Sequence, residues 1–440
     1  MPNEIGHLKR LSAIRSGKNI KFLTPAVYSG GWCPMRVACN ICEDIKGLSY
    51  LMVGMPECAT YSRGMSSLPE GSGGELRRIY TLDANEVVFG CRAGLAGALR
   101  EMVREGAKAI LMIATCVTDL IGEDMEGLIS EIQPEIGVRL SFVTLGQFKN
   151  FGSSAGAWKT AEAIVSLMKL PPASTPTTVR KANALFIDPW RNKNEAAGFP
   201  LFVGELADAG VRIRRLTTGV SLDEYLDAPD AALNLVLSEL TQPMAAKMES
   251  AFGIPYAPLH NAFKVADIDA VYDRIAETLG INWREGFDRG WRRAALAMED
   301  KARSALDRKK YAAIPGAYMP AALAEYLADF GAAPLLLNIE DFHNEDPGYA
   351  KRLKAGGYDP PVCRMMNIDY DIEIVRRLEP DFCIGGVPDD VEGILCADYM
   401  GDFFGVVGYE RTAGILKRII TLLETGDIGE RLDMYGPAPF

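Results

Sequence analysis

The sequence predicts an α/β protein of three domains, each a parallel sheet with helices on both faces. Three observations carry this expectation. Strand-length apolar runs recur along the chain and alternate with helical patterns, as parallel βαβ units require. The runs are continuously apolar rather than alternating, the pattern of strands buried on both faces. The chain has 440 residues, 48% of them apolar, which supports a sizeable core but is too long for one ordinary domain. We expect three Rossmann-like βα domains over residues 1–175, 176–295 and 296–440.

In chain order, "LSYLMVG" (48–54) runs into a Gly/Pro turn. "AKAILMIATC" (107–116) leads to the helical "DLIGEDMEGLISEI", and "RLSFVTLG" (139–146) to a Gly/Ser loop and "AWKTAEAIVSLMKL". "KLPPASTPTTVRKA" (169–182) is rich in Pro, Ser and Thr and reads as the clearest linker. "ANALFID" (183–189) precedes "FPLFVGELADAG", and "AALNLVLS" (231–238) precedes "QPMAAKMESAFG". A second break is expected near 282–300, where "NWREGFDRGWRRAALAMEDKARSALDRKK" reads as a long charged helix. "KYAAIPG" (310–316), "MPAALAEYLADFG", "APLLLNI" (333–339) and "PDFCIGG" (380–386) complete the third block.

Charge and composition exclude several classes. A net charge of −11 and a pI near 5.1 argue against a nucleic-acid surface, which needs clustered Lys and Arg. No apolar run approaches the roughly 20 residues of a membrane span. The start, "MPNEIGHLKRLSAIRSGKNIKF", has basic residues but no apolar core of a signal peptide, so a cytoplasmic location is expected. In a reducing compartment the nine cysteines are not a disulfide framework. With only three histidines, a mixed Cys/His zinc site is poorly supplied. Thiolates are the plentiful soft ligand, and they suit iron–sulfur clusters.

In open parallel sheets, ligands sit beyond the carboxyl ends of strands. Cys58 in "VGMPECATYSRG" and Cys116 in "IATCVTDLIG" follow apolar strands directly, and Cys33 lies in the glycine-containing "SGGWCPMR". Such loops let backbone N–H groups approach sulfur, which tunes a cluster. The competing reading is that each is a small buried hydrophobe. Cys39 and Cys42 form a C-x-x-C, but no second one exists to complete a four-thiolate site, so a core helix is preferred. Cys383, inside an expected strand, is read as core; Cys91 is read as packing with a redox role as the alternative, and Cys363 and Cys396, near the ends of expected loops, are left open. "GEDMEGLISE" offers carboxylates that a helix dipole favours without catalysis. "EGSGGELRR" (70–78) lacks the Lys-Ser/Thr of a P-loop, and no Ser–His–Asp order with a nucleophile elbow appears.

Several segments together resemble the nitrogenase component 1 superfamily. "GMPECATYSRG" resembles the segment bearing the second cluster cysteine. "TLDANEVVFGCRAGLAGALREM" (81–102) resembles the stretch that follows, and "MIATCVTDLIGEDMEGLI" the segment of the third cysteine. "VSLDEYLDAPDAALNLVLS" (220–238) and "GYERTAGILKRIITLLE" (408–424) look like the β-type subunit. The resemblance spans roughly residues 20–425.

The resemblance implies that Cys33, Cys58 and Cys116 hold metal as this subunit's share of an interfacial iron–sulfur cluster. That cluster would be P-cluster-type (8Fe-7S) or 4Fe-4S, shared with a partner subunit. It also implies an α-like catalytic partner in an α2β2 heterotetramer, and a transient, ATP-hydrolysing iron protein carrying a 4Fe-4S cluster. The family's large iron–sulfur cofactor is held by one Cys and one His of the α-type subunit. Here the corresponding strand end reads "NLVLSELT", with Ser238 and no thiol, and "GILCADYMGDFFGVVGY" has no histidine. That cofactor is therefore expected in the partner. The implied activity is electron relay within an ATP-dependent nitrogenase-like reductase. With Cys33 close to the chain start, a nitrogenase-like reductase is expected over a dinitrogen-reducing enzyme, and among such reductases methylthio-alkane reduction (C–S bond cleavage) is the preferred reaction. Nitrogenase proper, a tetrapyrrole reductase subunit and a non-catalytic cofactor-assembly scaffold are the alternatives.

Overall fold

A computed structural model describes the chain except residues 1–3, 26–32, 66–73, 147–151, 170–179, 188–199, 218, 286, 288, 387–392, 399 and 428–440. The expected linker at 169–182 lies mostly outside the described residues. The chain opens with two short strands, β1 (Lys9–Arg10) and β2 (Lys21–Phe22).

The first sheet contains β3 (Ser49–Gly54), β4 (Arg77–Thr81), β5 (Ala109–Ala114) and β6 (Arg139–Thr144), in the order β4-β3-β5-β6 and all parallel. β3 and β5 are buried along their whole length, which is why they read as unbroken apolar runs. The second sheet orders β7 (Lys181–Leu185), β8 (Arg212–Leu216), β9 (Leu233–Val236) and β10 (Tyr256–Pro258) as β10-β9-β7-β8, again parallel. Edge strands β4 ("RRIYT") and β8 ("RIRRL") carry arginines and are partly exposed, so apolar runs alone do not reveal them.

Among the described residues the third sheet has seven strands. β11 (Lys310–Ala313), β12 (Ala333–Asn338), β13 (Pro361–Arg364), β14 (Phe382–Ile384) and β15 (Cys396–Ala397) follow the order β13-β12-β11-β14-β15. β1 pairs antiparallel and β2 parallel with the edge strand β13. Ser12 clamps Asp359 through its N–H and hydroxyl (2.9 and 2.7 Å), and Leu11 and Ile14 enter the third core. The expected boundary after residue 295 falls inside a helix. Gly290–Ala305 gives Trp291, Ala294 and Ala295 to the second core and Ala302 to the third. The helix Tyr409–Thr425 is shared likewise, with Ala413 in one core and Leu416 and Ile419 in the other.

Among the described residues seven helices surround the first sheet: α1 (Pro34–Asp44), α2 (Pro56–Met65), α3 (Ala84–Phe89), α4 (Arg92–Arg104), α5 (Cys116–Ile121), α6 (Met125–Ile136) and α7 (Ser153–Val165). The expected single helix after β5 is two. Gly122, at φ 73°, ends α5 in the left-handed conformation, and the Asp124 side chain accepts the Gly127 N–H to start α6. Asp83 and Glu86 form a reciprocal capping box on α3. Of the carboxylates in "GEDMEGLISE", Asp124 caps α6, Glu123 accepts the Cys91 N–H (2.8 Å) and Glu131 pairs with Arg92 (2.7 Å).

Candidate functional site

In the first sheet the chain leaves β3 toward β4 on one side and β5 toward β6 on the other. The strand order therefore reverses between β3 and β5, the place where open α/β sheets leave a crevice beyond their carboxyl ends. Cys58 sits in the first turn of α2, directly after β3, and Cys116 is the first residue of α5, directly after β5. The two strand ends approach closely because residue 54 is glycine. A Cβ there would lie 2.4 Å from the Thr115 Oγ1. Thr118 then ties α5 to both strand ends, donating its hydroxyl to the carbonyls of Val53 (3.3 Å) and Thr115 (3.0 Å).

Cys33 reaches the same crevice by another route. It is the N-cap residue of α1, followed by Pro34 at the first helical position. α1 rests on α7, and Gly156 of α7 makes the contact possible, since a Cβ there would be 2.3 Å from the Pro34 carbonyl oxygen. Burial pushes the Cys33 thiol up, and the backbone N–H groups of Met35 and Arg36 oppose that rise. The thiols of Cys116 and Cys58 lie close enough to raise it further. Cys58 and Cys116 thus stand within electrostatic reach of Cys33, at the carboxyl ends of β3 and β5.

All three share one environment. Each is half-buried, whereas Cys39, Cys42, Cys91, Cys363 and Cys383 are buried. Each stands at the start of a helix, where backbone N–H groups point towards a bound sulfur. Among the described residues no three His, Cys, Asp or Glu side chains converge on a single metal ion. A cluster makes a different demand, because its thiolates ligate different irons. Three half-buried thiols, two of them within electrostatic reach of Cys33, are ligands of the type such a cluster uses.

The other cysteines have structural surroundings. Cys91 donates its thiol to Glu123 (3.3 Å), and burial with that carboxylate pushes it up to about 12, so it stays protonated. Cys39 and Cys42 lie fully buried in the core face of α1, with the Cys39 thiol 3.8 Å from the Met35 sulfur. Cys396 donates to the Gly385 carbonyl (3.0 Å) beside Cys383 on the neighbouring strand. Ser238 at the end of β9 accepts the Leu240 N–H (3.2 Å), which starts a turn of 3-10 helix.

Sequence reasoning missed a second feature. A cavity of about 250 Å³ lies where the three blocks meet, between Ser154, Glu239 and the loops after β11 and β12. The signal that could have found it is "NIEDFHNED" (338–346), a polar, acidic run at the carboxyl end of an apolar strand.

The sequence profile of nitrogenase component 1 type oxidoreductases matches residues 33–424. The iron-molybdenum cofactor biosynthesis protein NifE of Clostridium pasteurianum is 28% identical over 378 residues, covering 81% of this chain and 78% of that protein. NifE of Nostoc sp. is 26% identical, covering 82% and 75%. The nitrogenase molybdenum-iron protein alpha chain of Methanococcus maripaludis is 26% identical over 48% of this chain and 47% of its own length. These relatives lend no support to the expected β-type character, nor to methylthio-alkane reduction in particular. Among solved structures, nitrogenase Cp1 at pH 6.5 superposes with a TM-score of 0.64 at 16% identity, over 91% of this chain and 93% of that one. The profile match extends from the first of the three clustered cysteines to the last described helix, and the chain belongs to the nitrogenase component 1 type oxidoreductase family.

Proposed function

We propose that this chain is one subunit of a nitrogenase-like complex and supplies Cys33, Cys58 and Cys116 to an iron–sulfur cluster at its contact with a partner subunit. The observation that supports the reading is that three half-buried cysteines stand at helix starts, Cys58 and Cys116 beside the strand-order reversal of the first sheet and within electrostatic reach of Cys33. When bound, a cluster supplies one-electron redox chemistry. The chain's own contribution is to hold three thiolates in fixed positions, present backbone N–H groups to them, and shield them by packing α1 on α7. The Ser238 hydroxyl is used in a turn, so the chain offers no thiol at the end of β9. A large metal cofactor would then belong to a partner with other ligands.

Names of relatives favour an assembly role, in which the complex matures a cofactor and passes it on. The missing thiol at Ser238 favours a second reading, the relay subunit of an ATP-dependent reductase with a separate iron protein, acting on methylated thioethers. Anaerobic co-purification with the partner separates the two. Transfer of a cluster to an apo-acceptor without substrate turnover supports assembly. ATP-dependent release of a thiol from a methylated thioether supports the reductase. Complex lacking both iron and acid-labile sulfide would overturn the shared premise.

A further inference from the structure

Helix α7 begins without a cap of its own. Its N-cap residue is Gly152, which has no side chain to offer, and its first turn carries no acidic residue. The third block supplies what is missing. Asp341, in the loop after β12, accepts the Ser154 N–H (3.2 Å) and sets its carboxylate against the positive end of the helix. Gly152 is the residue that admits it, since a Cβ there would stand 2.4 Å from Asp341 Oδ1 and 2.8 Å from Oδ2. The backbone itself does not call for glycine. At φ −80° and ψ −176°, residue 152 has the extended conformation that a serine N-cap adopts.

This cap lies on the same turn as the seat of Cys33. Ser154 is the second residue of α7 and Gly156 the fourth. Gly156 is where the Pro34 backbone rests, and Pro34 directly follows Cys33 at the start of α1. A helix that loses its cap frays from its first turn. Fraying here moves Gly156, and the support of Pro34 and Cys33 moves with it. Cys58 and Cys116 stand on other supports, α2 after β3 and α5 after β5.

We propose that Asp341 is a positioning residue for Cys33, acting from the third block through the first turn of α7. Its consequence for a cluster rests on the reading of Cys33 as a ligand; its consequence for the Cys33 thiol does not.

The test is alkylation by iodoacetamide of the full-length chain, purified anaerobically and treated with an iron chelator, with the rate at each cysteine followed by peptide mass spectrometry. Asp341→Ala removes the cap and should raise the Cys33 rate about fivefold, the factor by which loss of an ordinary cap favours local opening. The rates at Cys58 and Cys116 should stay unchanged. Gly152→Ala, whose Cβ displaces the carboxylate, should act in the same way. In the double variant Asp341→Ala with Gly152→Ser, serine takes the vacated space and caps α7 from within, and the Cys33 rate should return to near that of the wild type. Asp341 also supports the charge of Arg364, which the serine does not restore, so the return singles out the cap. Iron per chain in the complex should fall and recover in the same order. Circular dichroism melts establish that each variant folds. An unchanged Cys33 rate in both single variants, equal rises at all three cysteines, or no return in the double variant would each overturn the proposal. A selective rise and return at Cys33, found together with a wild-type complex that holds no iron, would uphold the proposal and overturn the cluster reading alone.

Discussion

Replacing Gly156 by alanine probes the contact that seats Cys33. The new Cβ would stand 2.3 Å from the Pro34 carbonyl oxygen and 2.9 Å from its Cα, where ordinary contact begins near 3.4 Å. Both atoms are backbone, so the start of α1 has to retreat by about 1 Å rather than rotate a side chain away. Overpacking of this kind costs about 1–3 kcal/mol. Alanine in place of glycine inside a helix contributes about 0.5–1 kcal/mol in the opposite direction. The net expectation is a loss of about 1–2 kcal/mol, read from the urea midpoint at unchanged slope. Gly97, inside α4, has open space where a Cβ would stand, with no atom within 4 Å. Gly97→Ala is therefore the matched control and should gain about 0.5–1 kcal/mol. Retreat of Pro34 also carries Cys33 away from Cys58 and Cys116, so iron bound per chain should fall in Gly156→Ala alone. A Gly156→Ala protein as stable as Gly97→Ala, with full iron, would refute the reasoning.

Three further outcomes follow from buried groups. Burial raises the Glu410 carboxyl to about 8 from its ordinary 4.5. The folded state therefore binds a proton the unfolded state has lost, and stability falls as pH rises between those values. Glu410→Gln keeps the acceptor for the Leu201 N–H and should show a shallower fall, its advantage over the wild type growing up to about pH 8 and then levelling. Unfolding free energies measured across that range check this, and parallel curves would contradict it. Arg411 is fully buried and donates to the carbonyls of His260, Leu259 and Ala262, so Arg411→Met strands those acceptors and should cost about 2–5 kcal/mol in urea unfolding. Cys91→Ala should retain wild-type iron, because the Cys91 thiol is protonated against Glu123.

Much of the fold was legible because central strands of parallel sheets are apolar throughout. β3, β5 and β12 stand where "LSYLMVG", "AKAILMIATC" and "APLLLNI" put them. What stayed hidden was set by pairing rather than by local pattern. The edge strands β4 and β8 are rich in arginine, and β1 and β2 are two-residue strands whose place depends on β13, far along the chain. At the site, the strand ends of Cys58 and Cys116 were visible in the sequence. The glycine contacts that align them, Gly54 on Thr115 and Gly156 on Pro34, were not, since they join residues remote in sequence. The acidic cavity was hidden for the same reason, being assembled from all three blocks.

The central claim is that Cys33, Cys58 and Cys116 hold iron together while the buried cysteines do not. Iron and acid-labile sulfide per chain, with Mössbauer spectra, should be measured on the anaerobically purified complex for Cys33→Ala, Cys58→Ala, Cys116→Ala and, as the comparison, Cys383→Ala. The three half-buried-thiol variants should each lose cluster iron or change its spectrum, with Cys383→Ala matching the wild type. Full iron and an unchanged spectrum in the three, or the same loss in Cys383→Ala as in them, would contradict the account.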